Sequence, residues 1–179
     1  MDPLSLIDQF YSDDHPAKNI LLVHSRCVAD KALEVARRVK EDVDLAFIEE
    51  ASMLHDIGIL HTHAPNIHCS GSEPYICHGP IGFDMLMEAG FPKHARVCER
   101  HTGSGITVDD IRSQQLPLPE RDMRPETLEE IIICYADNFY RKKPEVLTTE
   151  QTPQQIIETL GRFGEDKADI FKAWHARFA

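Results

Sequence analysis

Met53-Leu54-His55-Asp56-Ile57-Gly58 is the stretch on which the fold turns. A histidine and an aspartate stand side by side at the end of an apolar run, and a glycine follows. Upstream, Leu45, Ile48 and Leu54 predict a helix packed inward, and Gly58 predicts its stop. The doublet then belongs to the buried end of a helix. An unpaired carboxylate there is costly, and a metal ion removes that cost. The pair supplies one neutral nitrogen donor and a carboxylate whose two oxygens can bridge two cations. Alone, the dipeptide is a weak signal, so the rest of the chain must supply its partners.

Before the doublet, residues 3–11 suggest a short helix. Asp13-Asp14-His15-Pro16 reads as the start of a longer one, with acidic residues near its N-terminus and proline in the first turn. From there to about residue 40, Leu21, His24, Val28, Ala32, Val35 and Val39 recur at steps of three and four and share one face. That places His24 on the inward stripe, where by itself it reads as a core histidine bonded to a carbonyl. Asp44 is positioned to cap the helix that ends in the doublet.

After the doublet, residues 59–77 carry Pro65, Gly71 and Pro74 without a period and predict a long loop, a kind of segment that often carries function. Helices are expected over 78–89, stopped by Gly90, and from Pro92 to about His101, followed by a turn over 102–105. Residues 113–124 read as a loop. Pro125-Glu126 opens a helix to about Arg141; its centre, residues 131–136, is apolar on nearly every face, and Asp137 follows directly. Thr152-Pro153-Gln154-Gln155 has the form of a capping box. Helices then run to the end, with Phe163, Phe171, Trp174 and Phe178 as packing residues. No convincing alternating strand pattern occurs. The expected fold is all-α, one domain over residues 1–179, with helices 153–178 packed on a core.

The 179 residues carry 19 Lys and Arg against 30 Asp and Glu, a formal charge of −11. That balance argues against sequence-independent nucleic-acid binding and against an anionic membrane surface. It leaves room for a small phosphorylated ligand, because bound divalent cations reverse the local field. Five scattered cysteines form no Cys-x-x-Cys pair. No run approaches the ~18 apolar residues of a membrane span, and no leader-like segment opens the chain. A reduced, cytoplasmic setting is expected.

Six residues stand out: His24, His55, Asp56, His78, His101 and Asp137. All are expected on, or at the ends of, inward-facing helices. Four imidazoles and two carboxylates suit iron, manganese, cobalt, nickel or zinc better than calcium or magnesium. The set suffices for one or two such ions, with His24, His55 and Asp137 completing one site, His78 and His101 the other, and Asp56 bridging. Paired divalent ions activate water and clamp phosphoryl oxygens during displacement, and helical bundles build such sites from inward-facing side chains.

The order His24 … His55-Asp56 … Asp137 resembles the HD superfamily of metal-dependent phosphohydrolases, and residues 55–58 match its HDIG variant letter for letter. His78-Gly79-Pro80-Ile81-Gly82, Glu99-Arg100-His101-Thr102-Gly103 and Tyr135-Ala136-Asp137-Asn138 look like the later motifs of binuclear members. The resemblance covers about residues 16–142 and is greatest to small HDIG proteins. It implies an all-helical fold around a central metal site. His24, His55, Asp56 and Asp137 would be the core ligands, and His78 and His101 the two further histidines. Asp56 would be catalytic, orienting a metal-bound hydroxide that cleaves the phosphoester of a small metabolite or nucleotide. The cyclic-di-GMP phosphodiesterase branch differs: its GYP motif is missing, and Ile59 stands where that branch has lysine.

For substrate contacts, Arg141 lies four residues after Asp137 and would share its helix face, with Lys142 and Lys143 extending the basic cluster. His63 is the preferred loop histidine among His61, His63 and His68. A homodimer is left open. Two rival readings remain. One is a di-iron oxygenase of the same fold using the same six residues; the other is a non-catalytic metal-binding domain.

Overall fold

Helix α1 (Pro3–Phe10) precedes the long helix α2 (Pro16–Ala36), to which both apolar cores are attached. The computed structural model describes residues 2–12 and 15–179. Pro16 sits in the first turn of α2, and the His15 ring accepts the Ala17 N–H as its cap; Asp13 and Asp14, expected at this start, lie outside the described residues. Leu21, His24, Val28 and Ala32 are fully buried. The helix ends before residue 40, so Val39 packs on the core from beyond its end.

Helix α3 (Leu45–Leu54) is capped by the Asp44 carboxylate, which accepts the Phe47 N–H at 2.9 Å. Two expectations need correction. Leu45 occupies the exposed first turn, and the inward face starts at Ile48. Gly58 does not stop the helix, which ends at Leu54 with His55 as its cap. Gly58 lies in the following 3-10 turn (Ile57–His61), and its role is close approach. A β-carbon there would stand 2.2 Å from the His78 carbonyl oxygen and 2.6 Å from the Gly82 nitrogen. Glycine lets this turn press its backbone against helix α4 (His78–Glu88).

Within residues 59–77 the chain forms a small antiparallel ribbon, β1 (His63–Ala64) with β2 (Cys69–Ser70), and 3-10 turns at Pro65–Ile67 and Tyr75–Cys77. Gly90, at φ +85°, follows the end of α4, and α5 (Pro92–Arg100) packs along it. A short α6 (Val108–Ser113), opened by a Thr107–Asp110 capping box, adds to the expected set. Helix α7 (Leu128–Asp137) starts later than Pro125, because Thr127 and Glu130 form the capping box, and it ends at Asp137 rather than Arg141. The predicted box at Thr152 opens α8 (Pro153–Gly161), and α9 (Glu165–Phe178) ends the chain. Phe171 and Phe178 pack on Tyr135, but Phe163 is 64% exposed and leaves the packing set.

The fold is all-α, with two main apolar clusters. One gathers Val28, Ile48, Ile132, Ile133 and Phe171; the other gathers Leu21, Leu54, Ile57, Leu86 and Cys98. Each fully buried aliphatic side chain contributes about 1.5–3 kcal/mol. Helix α2 contributes Leu21 to one cluster and Val28 to the other, with His24 between them. Helix α3 divides likewise, between Ile48 and Leu54. The polar residues singled out above lie at this seam, held by apolar packing on both sides.

Candidate metal centre

Asp56 is fully buried, and its two oxygens face different partners. Oδ2 lies 3.3 Å from His24 Nε2 and 3.1 Å from His55 Nε2. Asp137 closes this side, with Oδ1 2.9 Å from His24 Nε2 and 3.3 Å from His55 Nε2. Oδ1 of Asp56 lies 3.4 Å from both His78 Nε2 and His101 Nε2, which are 3.1 Å from each other. All six predicted residues therefore converge, as two donor groups that share Asp56.

Local backbone explains the aim of three of the rings. His55 Nδ1 donates to the Ser52 carbonyl at 2.6 Å, His78 Nδ1 to Tyr75 at 2.6 Å, and His101 Nδ1 to Cys98 at 2.8 Å. Each histidine stands at the C-terminal end of a helical turn, where carbonyls have acceptor capacity to spare. The ring satisfies the carbonyl three residues back, and this leaves Nε2 pointing at Asp56. Such a bond to the second ring nitrogen fixes the tautomer of a metal-binding histidine. Helices α3, α5 and α7 all end at this point, Asp137 being the last residue of α7. Their negative dipole ends favour a cation.

Lys142, expected only as an extension of the basic cluster after Arg141, lies inside this group. Its ammonium lies 2.7 Å from Asp56 Oδ2, 3.3 Å from His24 Nε2 and 4.0 Å from Asp137 Oδ1. Burial opposes the charge, but the two carboxylates hold the ammonium protonated well above its usual range. Burial likewise opposes charge on His55, and Asp56 and Asp137 override it, pushing the imidazole up to about 10. Burial would raise both carboxyls, yet Lys142 first and then the facing histidines keep Asp56 and Asp137 well below the usual range. Burial lowers His78 to about 4, so its ring is neutral. Two negative groups thus face two positive ones, Lys142 and His55.

One divalent ion carries the same charge as that pair. The donor spacing fits as well: two donors each bound at 2.0–2.2 Å to one ion stand about 3 Å apart or slightly more. His55 Nε2 and both Asp56 oxygens are buried without an aligned hydrogen bond. His78 and His101 present two ring nitrogens to one another with their other nitrogens already donating, an arrangement that a cation between them relieves. The donors therefore fit one or two divalent metal ions.

The expected substrate contacts do not assemble as foreseen. Helix α7 stops at Asp137, where the Asn138 amide folds back to donate to the Gly103 and Cys134 carbonyls at 2.6 and 2.8 Å. Arg141 therefore shares no helix face with Asp137; it is exposed and reaches Thr159 at 3.4 Å. His63 is exposed on β1 and lies outside the cluster. The residue that closes in is Lys142, together with Tyr75, whose ring stacks on His78 at 4.7 Å and whose hydroxyl faces Lys142. No local signal marked this stop: Pro144 disfavours helix only at Lys143, already past the end of α7.

An HD domain family model matches residues 21–142. An uncharacterised protein of Methanocaldococcus jannaschii is 37% identical over 129 residues, 69% of either chain. A tRNA (cytidine(56)-2'-O)-methyltransferase of Thermoplasma volcanium is 26% identical over 97% of this chain, which spans only 46% of that protein's length. Among solved structures, the HD domain of the L. monocytogenes phosphodiesterase PgpH superposes with a TM-score of 0.54 at 19% identity, over 96% of this chain and 93% of that one. Its complex with cyclic-di-AMP gives 0.53 at 19% identity, over 96% and 92%. Among the described residues, no helix is long and apolar enough to cross a membrane. With more than half its length matched by the family model and a relative above 30% identity, this chain belongs to the HD domain family.

Proposed function

We propose that the chain, as one HD domain over residues 1–179, is a metal-dependent phosphohydrolase acting on a small phosphorylated metabolite or nucleotide. The observation that carries this reading is the division of Asp56. One oxygen faces His24 and His55 and the other faces His78 and His101, as a carboxylate bridging two ions requires. When bound, such ions supply Lewis-acid polarisation of a phosphoryl oxygen and a nucleophilic water. Nitrogen-rich donors favour iron, manganese, cobalt, nickel or zinc.

The remaining residues have defined tasks. His24, His55 and Asp137 hold one side of Asp56, and His78 and His101 hold the other. Asp137 and Lys142 are the slightly exposed members, so the site opens past them. From there the Lys142 ammonium can meet a phosphoryl oxygen, as lysine does in many phosphate sites. The cyclic-di-AMP complex of the PgpH domain supports a nucleotide substrate.

The test is phosphate release from a panel of phosphomonoesters, phosphodiesters and nucleotides by protein loaded with manganese or cobalt under argon. Asp56→Ala should abolish turnover and metal binding while leaving helical content unchanged. Undiminished hydrolysis by metal-free Asp56→Ala would refute the reading. Oxygen uptake by an anaerobically loaded di-iron sample, without phosphate release, would replace it with the oxygenase reading.

A further inference from the structure

A cavity of about 290 Å³ begins one residue away from two of the candidate ligands. Thr102, which follows His101, and Asn138, which follows Asp137, both line it. Its opposite wall comes from the C-terminal segment, through Leu160 of α8, Phe163 of the connecting turn and Lys167 of α9. That wall lies beyond the residues matched to the HD domain family.

The lining specifies the occupant's chemistry. Its buried charge is already matched: the Lys167 ammonium pairs with Asp110 and donates to the Gly105 carbonyl at 3.2 Å. An occupant therefore need carry no charge here. Leu160 presents an apolar side, and the exposed Phe163 ring offers a flat surface for stacking. Polar capacity remains between them. The Ser104 hydroxyl is 3% exposed and has no hydrogen-bond partner, a costly state for a buried group. Asn138 uses its N–H groups on Gly103 and Cys134, which leaves its side-chain carbonyl to accept. A neutral, planar group with hydrogen-bonding edges suits these walls. The volume sits at the small end of ligand sites.

We infer that this cavity takes the base of a nucleoside whose phosphate end lies at the metal centre, so that α8 and α9 select the substrate. The phosphate's fate rests on the phosphohydrolase reading; the base site does not. Adenosine, guanosine, cytidine and uridine carry no phosphoester, so their binding isolates the cavity from catalysis. Calorimetric titration of the metal-loaded protein should show submillimolar binding of at least one of them. Phe163→Ala, at an exposed position, should weaken that binding about tenfold, and Phe163→Trp should restore it. No binding at millimolar concentration, or equal binding by Phe163→Ala, would overturn the inference. Nucleoside binding without hydrolysis of any phosphoester would sink the hydrolase and keep the cavity. Phosphate release without nucleoside binding would do the reverse.

Discussion

Replacing Lys142 by Met should destabilise the metal-free protein and tighten metal binding at the same time. At 2.7 Å from Asp56 Oδ2, the unit charges attract by about 6 kcal/mol at an effective dielectric of about 20. Desolvation of the two ions offsets much of this. Removing one partner of a buried pair, however, strands the other and costs about 3–5 kcal/mol. For a chain of this size, that lowers Tm by about 6–20 °C. A divalent ion drawn to Asp56 Oδ2 must displace the ammonium, so in Lys142→Met it binds without that competition. Affinity for manganese should rise at least about tenfold, since each 1.4 kcal/mol is a factor of ten. Thermal denaturation in chelator and in graded manganese, with calorimetric titration, reads both effects. If Lys142→Met melts with wild type in chelator and binds manganese no tighter, the ammonium does not occupy the ion's place, and the charge argument fails.

Other outcomes follow from the same structure. Gly58→Ala sets a β-carbon against the His78 and Gly82 backbones; it should cost about 3 kcal/mol or more and weaken the His78–His101 side more than the His24–His55 side, read by metal stoichiometry. Tyr11→Phe removes the hydroxyl that donates to the Ile57 carbonyl at 2.8 Å and accepts from Leu60 N–H at 3.2 Å. That removes both of these bonds from the 3-10 turn and should cost about 1–3 kcal/mol in chemical denaturation. His94 is held below its ordinary 6.5, chiefly by burial and against the pull of Glu50. Between its folded pKa and 6.5 the unfolded chain binds more protons, so stability falls as pH drops through that window. His94→Asn should flatten this slope in pH-dependent melting; an unchanged slope would assign it to other groups.

Much of the fold can be read along the chain because its signals are local. Pro16, Asp44, Pro92 and the Thr152–Gln155 box mark helix starts within one turn of the residues that they cap. The stripe from Leu21 to Val35 gives the buried face of α2, because helical period alone sets it. The errors fall where a distant contact decides. Arg141 looked like a neighbour of Asp137 until the Asn138 amide bonded Gly103, 35 residues away, and the helix stopped. Phe163 looked like core until the turn between α8 and α9 left it in solvent.

Residue types and local helix ends were enough to nominate four histidines and two aspartates as donors, and to place them on all-α elements. Which oxygen of Asp56 meets which rings, that Gly58 serves a backbone contact, and that Lys142 is the cation beside Asp56 came only from the packed chain. Those facts depend on groups brought within about 4 Å across separations of tens of residues to more than a hundred. No period or capping rule spans such separations; the meeting of two apolar cores at one seam does.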